Sequence, residues 1–274
     1  MSKRSNKLFL YLILGLMMVA IIFPIYWMIL TAFQPVSDAI NYPPLMFFKS
    51  FSLEGMKRVI FSTDIFLWIK NSLVVSLCVA LLSIFLSVPA AYSIARFRIR
   101  LNGFILFAVL VTQMIPPSIL VVPLYQIFAA TGYIDSLLAL ILADSILTLP
   151  LATWIMVGFF ENIPREIEES AVIDGASGMM VFYRINLPLT YPALITISIL
   201  NFFEVWNEYM YGYTFISDQH KWVGTVGLAS YKAQYLTDWQ AILDSSVVFC
   251  ILPMLIYIFL RKYIVRGVAE GFTK

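Results

Sequence analysis

Glu204 and Glu208 stand four residues apart inside a long apolar run, with Asn201, Asn207, Tyr211 and Phe215 close by. A charged side chain at mid-membrane costs about 2.5–3.5 kcal/mol on insertion scales, so acids within a span face a cavity or a partner. On a helical wheel of about 100° per residue, Asn201, Glu204, Glu208, Tyr211 and Phe215 share one narrow arc and Asn207 lies at its edge. Carboxylates and amides grouped in this way suit the paired hydroxyls of a solute, and Tyr211 and Phe215 could stack on a ring face. Two blander or different tasks stay open for the same acids. They could hydrogen-bond neighbouring helices, with one protonated beside the other, or they could relay protons.

Little else in the chain could do chemistry. The single histidine, His220, falls in a polar loop, which excludes a His-based triad inside the membrane and an H-E-x-x-H metal site. No phosphate-binding G-x-x-x-x-G-K-[ST] occurs, so no nucleotide site is expected on this polypeptide. Cys78 and Cys250 lie in separate apolar runs without metal spacing and read as packing residues. Asp144, beside Ser145 and Thr148, reads either as a helix-to-helix anchor or as a second pathway acid. Gln113 with Pro116 and Pro117 should bend or break the run that contains them, because proline removes backbone hydrogen bonds. No catalytic residue, metal ligand or cofactor is assigned to the chain.

These residues must be positioned by membrane helices. A composition that is 61% hydrophobic and 12% charged, with a mean hydropathy of +0.87, excludes a soluble globule. A spanning helix needs about 20 mostly apolar residues. Six runs meet that length, near 8–31, 68–95, 103–130, 136–160, 187–215 and 240–261. The expected fold is therefore an all-α polytopic membrane protein, residues 1–274 forming one six-helix membrane domain without internal repeats. The first run follows Lys3, Arg4 and Lys7 and imitates a signal peptide. Its apolar stretch is far longer than a signal's, and no small-x-small cleavage site follows, so it should persist as an uncut helix.

Charge sets the orientation, because cationic short loops are retained in the cytoplasm. With the N-terminus inside, Lys3, Arg4, Lys7, Arg96, Arg98, Arg100, Arg165, Arg184, Arg261, Lys262, Arg266 and Lys274 all fall inside, 12 of the 18 basic residues. Both termini and the 161–186 loop are then cytoplasmic, while 32–67 and 216–239 face outward. The net charge of +2 is this bias, and it gives no reason to expect nucleic acid.

The 161–186 loop is long for a connector and has its own helical signals. Pro164 suits a first helical position, and Glu166, Glu168 and Glu169 place negative charge where the helix dipole favours it. Ile163, Ile167, Ala171 and Val172 form an apolar stripe. Gly175 suits the left-handed residue after a helix, and Ser177 can cap a second short helix from Gly178 to Ile185 carrying Met179, Met180, Phe182 and Tyr183. Two short amphipathic helices joined by a glycine bend are shaped to fit a groove on a partner.

Glu169-Ser170-Ala171, three residues, Gly175, nine residues, Ile185, one residue and Leu187-Pro188 resemble the signature loop of permease subunits in bacterial ATP-binding-cassette importers. Ser170 departs from the usual alanine, a small residue for a small residue. The resemblance extends through Thr31-Ala32-Phe33-Gln34, Asn71-Ser72, Ala91 to Arg96, Trp206-Asn207-Glu208-Tyr209 and Gly224 to Leu228. Together these resemble the carbohydrate-uptake branch, in particular the smaller permease subunit of maltose-type importers. That resemblance implies a six-helix permease fold with a cytoplasmic two-helix coupling loop in a bacterial inner membrane. It also implies a distinct second permease chain, two copies of an ABC ATPase that bind ATP and Mg, and an extracytoplasmic binding protein that delivers a sugar or oligosaccharide. The residues it assigns to ATPase contact are Glu169, Ser170, Ala171, Asp174 and Gly175. Asn201, Glu204, Asn207, Glu208 and Tyr211 are the candidate pathway residues. The outer segment Ser217 to Trp239 would face the binding protein, and the tail from Val265 to Lys274 would approach the ATPase pair. A stand-alone secondary transporter or channel using the membrane acids is the competing reading, and a membrane-embedded enzyme a remoter third.

Overall fold

The computed structural model describes residues 3–39, 45–97, 101–232 and 237–272. Arg98, Arg100, Thr273 and Lys274 of the readings above lie outside them, as does part of the Ser217 to Trp239 segment. In chain order the helices are α1 (Lys3–Ala32), α2 (Val36–Ala39), α3 (Glu54–Ser62), α4 (Ile65–Arg96), α5 (Asn102–Thr112), α6 (Pro117–Thr131) and α7 (Leu137–Asn162). There follow α8 (Arg165–Ile173), α9 (Gly178–Val181), α10 (Leu187–Leu189), α11 (Tyr191–Trp206), α12 (Met210–Phe215), α13 (Gly224–Ala229) and α14 (Trp239–Phe272). Among the described residues the only β pairing is an isolated bridge between Lys232 and Thr237. The fold is all-α.

Four stretches are long and apolar enough to cross a membrane: Phe9–Ala32 of α1, α4, α7 and Trp239–Arg261 of α14. Two bent pairs bring the number to six if each pair is one crossing. The first pair is α5 and α6, which meet at 89°. Here the expected break is seen, and its cause is local: Pro116 and Pro117 withhold two backbone donors, and Pro117 begins α6. The Gln113 side chain stays engaged at this break, its Nε2 donating to the Leu147 carbonyl at 2.8 Å.

The second pair corrects the reading of 187–215 as one straight helix. The segment Gly178–Leu189 meets α11 at 69°, α11 ends at Trp206, and a separate short helix, α12, begins at Met210. A wheel drawn across 201–215 therefore runs over the interruption at 207–209 between two helices.

By contact density the chain divides into two units, residues 1–66 with 227–252 and residues 67–226 with 253–274. In the first, Gln240 Nε2 donates to the Gln34 carbonyl at 3.0 Å, and Arg58 pairs with Asp238 at 3.0 Å. A Cβ at Gly55 would lie 2.1 Å from Asp244 Oδ2, so any side chain there would force Asp244 to shift. The α3 backbone thereby approaches α14 closely.

In the second unit the buried face of α4 is built from small residues. Ser72, Ser76, Ser83, Ser87, Ala91 and Ala95 are all buried. In lipid, helices gain nothing by hiding apolar surface from water, so close backbone approach and hydrogen bonds must hold them together. Asn201 Nδ2 donates to Ser83 Oγ at 2.7 Å and ties α11 to this face. Asn71 Nδ2 donates to the His220 and Trp222 carbonyls at 3.0 and 2.9 Å, and Ser72 Oγ accepts from Gly224 N at 2.8 Å. The Asn71-Ser72 pair thus fastens the segment after α12 to α4. One apolar cluster forms around Val79, Ala139, Leu140, Tyr211 and Phe215, and another around Ala91, Met156, Phe160, Phe182 and Ile197. The outward apolar residues of α1, α4 and α14, such as Leu16, Phe85 and Phe259, are exposed in the isolated chain, as a lipid-facing wall requires.

Candidate functional site

Two features of the second unit could act: the helical loop at 165–181 and a largely apolar cavity, with acids and an amide in its lining, at the break after α11. The loop forms as its residues dictate. Glu166 and Glu168 sit in the first turn of α8, and Pro164, expected at the first helical position, stands one residue before it without a capping bond. Gly175 ends α8 with φ +90°, a conformation that costs an L side chain roughly 1–2 kcal/mol. Ser177 Oγ accepts from Met180 N at 3.3 Å and starts α9. The second helix was expected to run regularly to Ile185. Instead α9 passes at Phe182 into a π-turn that lasts to Asn186, before Leu187 and Pro188 resume the α form.

Of the five residues assigned to partner contact, Glu169, Ser170, Asp174 and Gly175 are exposed and Ala171 is half-buried. Ser170 Oγ donates to the Glu166 carbonyl at 2.7 Å, so its hydroxyl is satisfied within α8 and asks nothing of a neighbour. Ile167, Val172, Ile173, Met179, Met180 and Tyr183 are exposed large apolar side chains around the same bend. An apolar surface of this kind on a charged loop marks an interaction site.

The cavity encloses about 320 Å³. Its polar lining is Asp144 and Thr148 of α7 with Glu204, Asn207, Glu208 and Tyr209 of the α11–α12 break, and the apolar remainder includes Pro117 and Leu147. Among the described residues no lysine or arginine contributes to the lining. Glu204, Asn207 and Tyr209 are exposed, whereas Asp144 is only 2% exposed and its Oδ1 has no hydrogen-bond partner.

The break itself is capped from both sides. Asn207 Nδ2 donates to the Phe203 carbonyl at 2.7 Å, covering the electronegative end of α11. Glu208 accepts from Tyr211 N at 2.7 Å and Gly212 N at 3.1 Å, covering the electropositive start of α12. Backbone freed at membrane depth is tolerated where side chains re-satisfy it or where it lines a cavity, and here both hold.

Three of the five candidate pathway residues, Glu204, Asn207 and Glu208, therefore meet at the cavity. The other two do not. Asn201 is buried against Ser83, and Tyr211 is fully buried, its ring stacked on Phe215 at 5.3 Å. Phe215 is buried too and offers no ring face. The continuous-helix wheel placed Asn201, Tyr211 and Phe215 on the arc of the two glutamates, whereas α11 ends at Trp206 and Tyr211 and Phe215 of α12 pack in the core. Asp144, left between anchor and pathway, lines the cavity. Tyr209 and Thr148 were not singled out for the pathway, and their types carry no signal of it.

Beyond α12, Asp135 holds the following turn in place. Its Oδ1 accepts from Ser217 N at 2.9 Å and Asp218 N at 3.0 Å, and Lys221 Nζ reaches its Oδ2 at 3.0 Å. The backbone bond from Asp218 foremost, then the Lys221 and Ser217 bonds, hold the Asp135 carboxyl below its ordinary range, while the Lys221 ammonium is held above its own by Asp135. Among the described residues no group of His, Cys, Asp and Glu could hold a metal ion.

Residues 83–272 match the family described as binding-protein-dependent transport system inner membrane component. The chain is 31% identical to the probable ABC transporter permease protein YurM of Bacillus subtilis, over 97% of this chain and 86% of that protein. It is also 31% identical to the trehalose/maltose transport system permease protein MalG of Thermococcus litoralis, over 96% of each. The crystal structure of a bacterial ABC transporter involved in the import of the acidic polysaccharide alginate contains a chain that superimposes with a TM-score of 0.82. The match covers 100% of this chain and 99% of that one at 19% identity, which is a likeness of fold.

Proposed function

The chain belongs to the binding-protein-dependent transport system inner membrane components, and on that premise we propose that it is the permease subunit of an ABC importer for a neutral sugar or oligosaccharide. It pairs with a second, distinct permease chain, rests on two ATPase subunits and receives solute from an extracytoplasmic binding protein. The reading of the acids as the relay of a lone ion-driven carrier yields to the family, whose members serve binding-protein-dependent transport.

The observation that carries the reading is the exposed two-helix loop, whose signature spacing is complete from Glu169 to Pro188. Glu169, Ser170, Ala171, Asp174 and Gly175 form its ATPase-facing surface, together with the apolar side chains around the bend. The cationic bias of the sequence supports a cytoplasmic position for this loop and for both termini. ATP-driven closure of the ATPase pair moves the two loops and swings the permease halves between inward-open and outward-open states.

The solute passes Glu204, Asn207 and Glu208. Their carboxylates and amide accept and donate to hydroxyls, Tyr209 offers an exposed ring, and the lack of a lining cation disfavours an anionic cargo. The test is ATPase stimulation and uptake by the complex reconstituted with its binding protein, across neutral, amino and acidic saccharides. Neutral saccharides should stimulate, and the permease alone should remain silent under an ion gradient. Uptake by the lone chain would overturn the reading.

A further inference from the structure

Adjacent glutamates in α8 point to different tasks. Glu169 is exposed, whereas Glu168 turns inward and pairs with Arg96 Nε, the two side chains being 15% and 7% exposed. Arg96 is the last residue of α4, and its guanidinium also donates to the Ile163 carbonyl, where α7 ends, at 3.0 Å. Arg165 of α8 reaches back to the Ala95 carbonyl at 3.4 Å. The end of α4 and the start of α8 thus hold each other through a reciprocal pair of arginines. Just above, Tyr92 of α4 packs on Phe160 of α7 at 5.4 Å and on Phe182, the first residue of the π-turn, at 4.8 Å.

We propose that Arg96 and Glu168 are the positioning pair through which movement of the loop is delivered to α4. This rests on the reading that α8 and α9 seat on an ATPase. A surface pair would yield under load, because exposed ion pairs contribute little. A buried pair resists separation, since parting it strands a charge away from water. From Arg96, α4 runs as one helix, with Pro89 within it, to Ser83, whose hydroxyl accepts from Asn201 of α11. Three residues beyond Asn201, near the same end of α11, come Glu204 and then the capped break at the cavity. The π-turn lies on the opposite connection, from α9 toward α11, and supplies a place where the register can give. The loop therefore has a stiff link to α4 and a compliant one to α11.

The experiment uses the complete importer in proteoliposomes, with solute transported per ATP hydrolysed as the readout and the amount of ATPase co-purified as the control. Glu168→Gln and Arg96→Gln should each lower the transport ratio about tenfold while the ATPase content stays within about twofold, the range in which residues along a coupling network act. The reversed pair Arg96→Glu with Glu168→Arg should recover at least about a third of the ratio. Arg96→Lys keeps the charge and should fall between wild type and Arg96→Gln; it also serves if the uncharged variants fail to accumulate. An unchanged ratio in the single variants, or a reversed pair no better than either single, would overturn the linkage. A parallel Gly175→Pro variant that keeps its ATPase would instead overturn the docking reading beneath it.

Discussion

The loop at 165–181 and the break at 207–209 are both interruptions of apolar helices by polar residues, yet they are built in opposite ways. The loop is made by local rules: a φ of +90° at Gly175 and a serine cap at Ser177, each satisfied within a few residues. The break is made by two side chains that cap two helix ends back to back, Asn207 on α11 and Glu208 on α12. In the loop, structure and proposed function fall on different residues, because the glycine and the serine shape a surface that others present. At the break they coincide, because the residues that cap the helices also line the cavity. A residue of the second kind cannot be altered for one purpose alone.

The strongest way to break the contrast is to remove the bend. Proline at 175 cannot adopt a φ near +90°, and its cost in an unsuitable position is about 3 kcal/mol or more. Gly175→Pro should therefore reduce ATPase co-purification by about a hundredfold while the permease still inserts and pairs, since a Cβ at 175 would meet no other part of the chain. Loss of the whole permease from the membrane would show that the loop is not the self-contained element described.

A smaller effect should separate the two roles at the break. Glu208→Ala strips both acceptors from the start of α12 and should lower the thermal midpoint of the complex, by an amount equivalent to about 0.5–2 kcal/mol. Uptake should fall with it. Glu204→Gln, at an exposed position without a capping bond, should change stability by less than about 0.5 kcal/mol and still impair uptake. If Glu204→Gln destabilised as much as Glu208→Ala, the division between cap and pathway residue would be wrong.

The same contrast explains what could be read from the chain. Pro116 and Pro117 declared the break between α5 and α6, and Gly175 and Ser177 declared the bend and the second helix, because each acts on its own backbone. Composition and run length were enough for a multi-span helical fold. The break after Trp206 carries no proline or glycine at the break itself, and its caps are the residues that read as pathway groups. A periodicity argument assumes an unbroken axis, so it carried Tyr211 and Phe215 to the wrong side. The inward turn of Glu168 was equally hidden. Its charge is explained locally by the helix dipole, and only the distant Arg96 shows the second use.

The smallest expected effect concerns Asp135, which fastens the turn after α12 much as Glu208 fastens its start. Its carboxyl is held below its ordinary value of 3.8, so the fastening is fully present above that value and is lost as pH falls through the lower folded one. The partner cation keeps its charge throughout that range, because the Lys221 ammonium is raised above 10.5. Acidification from neutral through that lower value should therefore reduce the protection of the Ser217 and Asp218 amides, relative to their intrinsic exchange rates, a few-fold, the size of change a partly exposed contact supports. Asp135→Asn should show fast exchange at neutral pH and lose most of that acid dependence. The 165–181 loop owes its bend to a backbone conformation and a serine cap, neither of which titrates, so exchange at Ala176 and Met180 should follow only the intrinsic pH dependence. If the loop loosened in step with the Asp135 turn, the distinction between a locally encoded element and one held by distant side chains would fail.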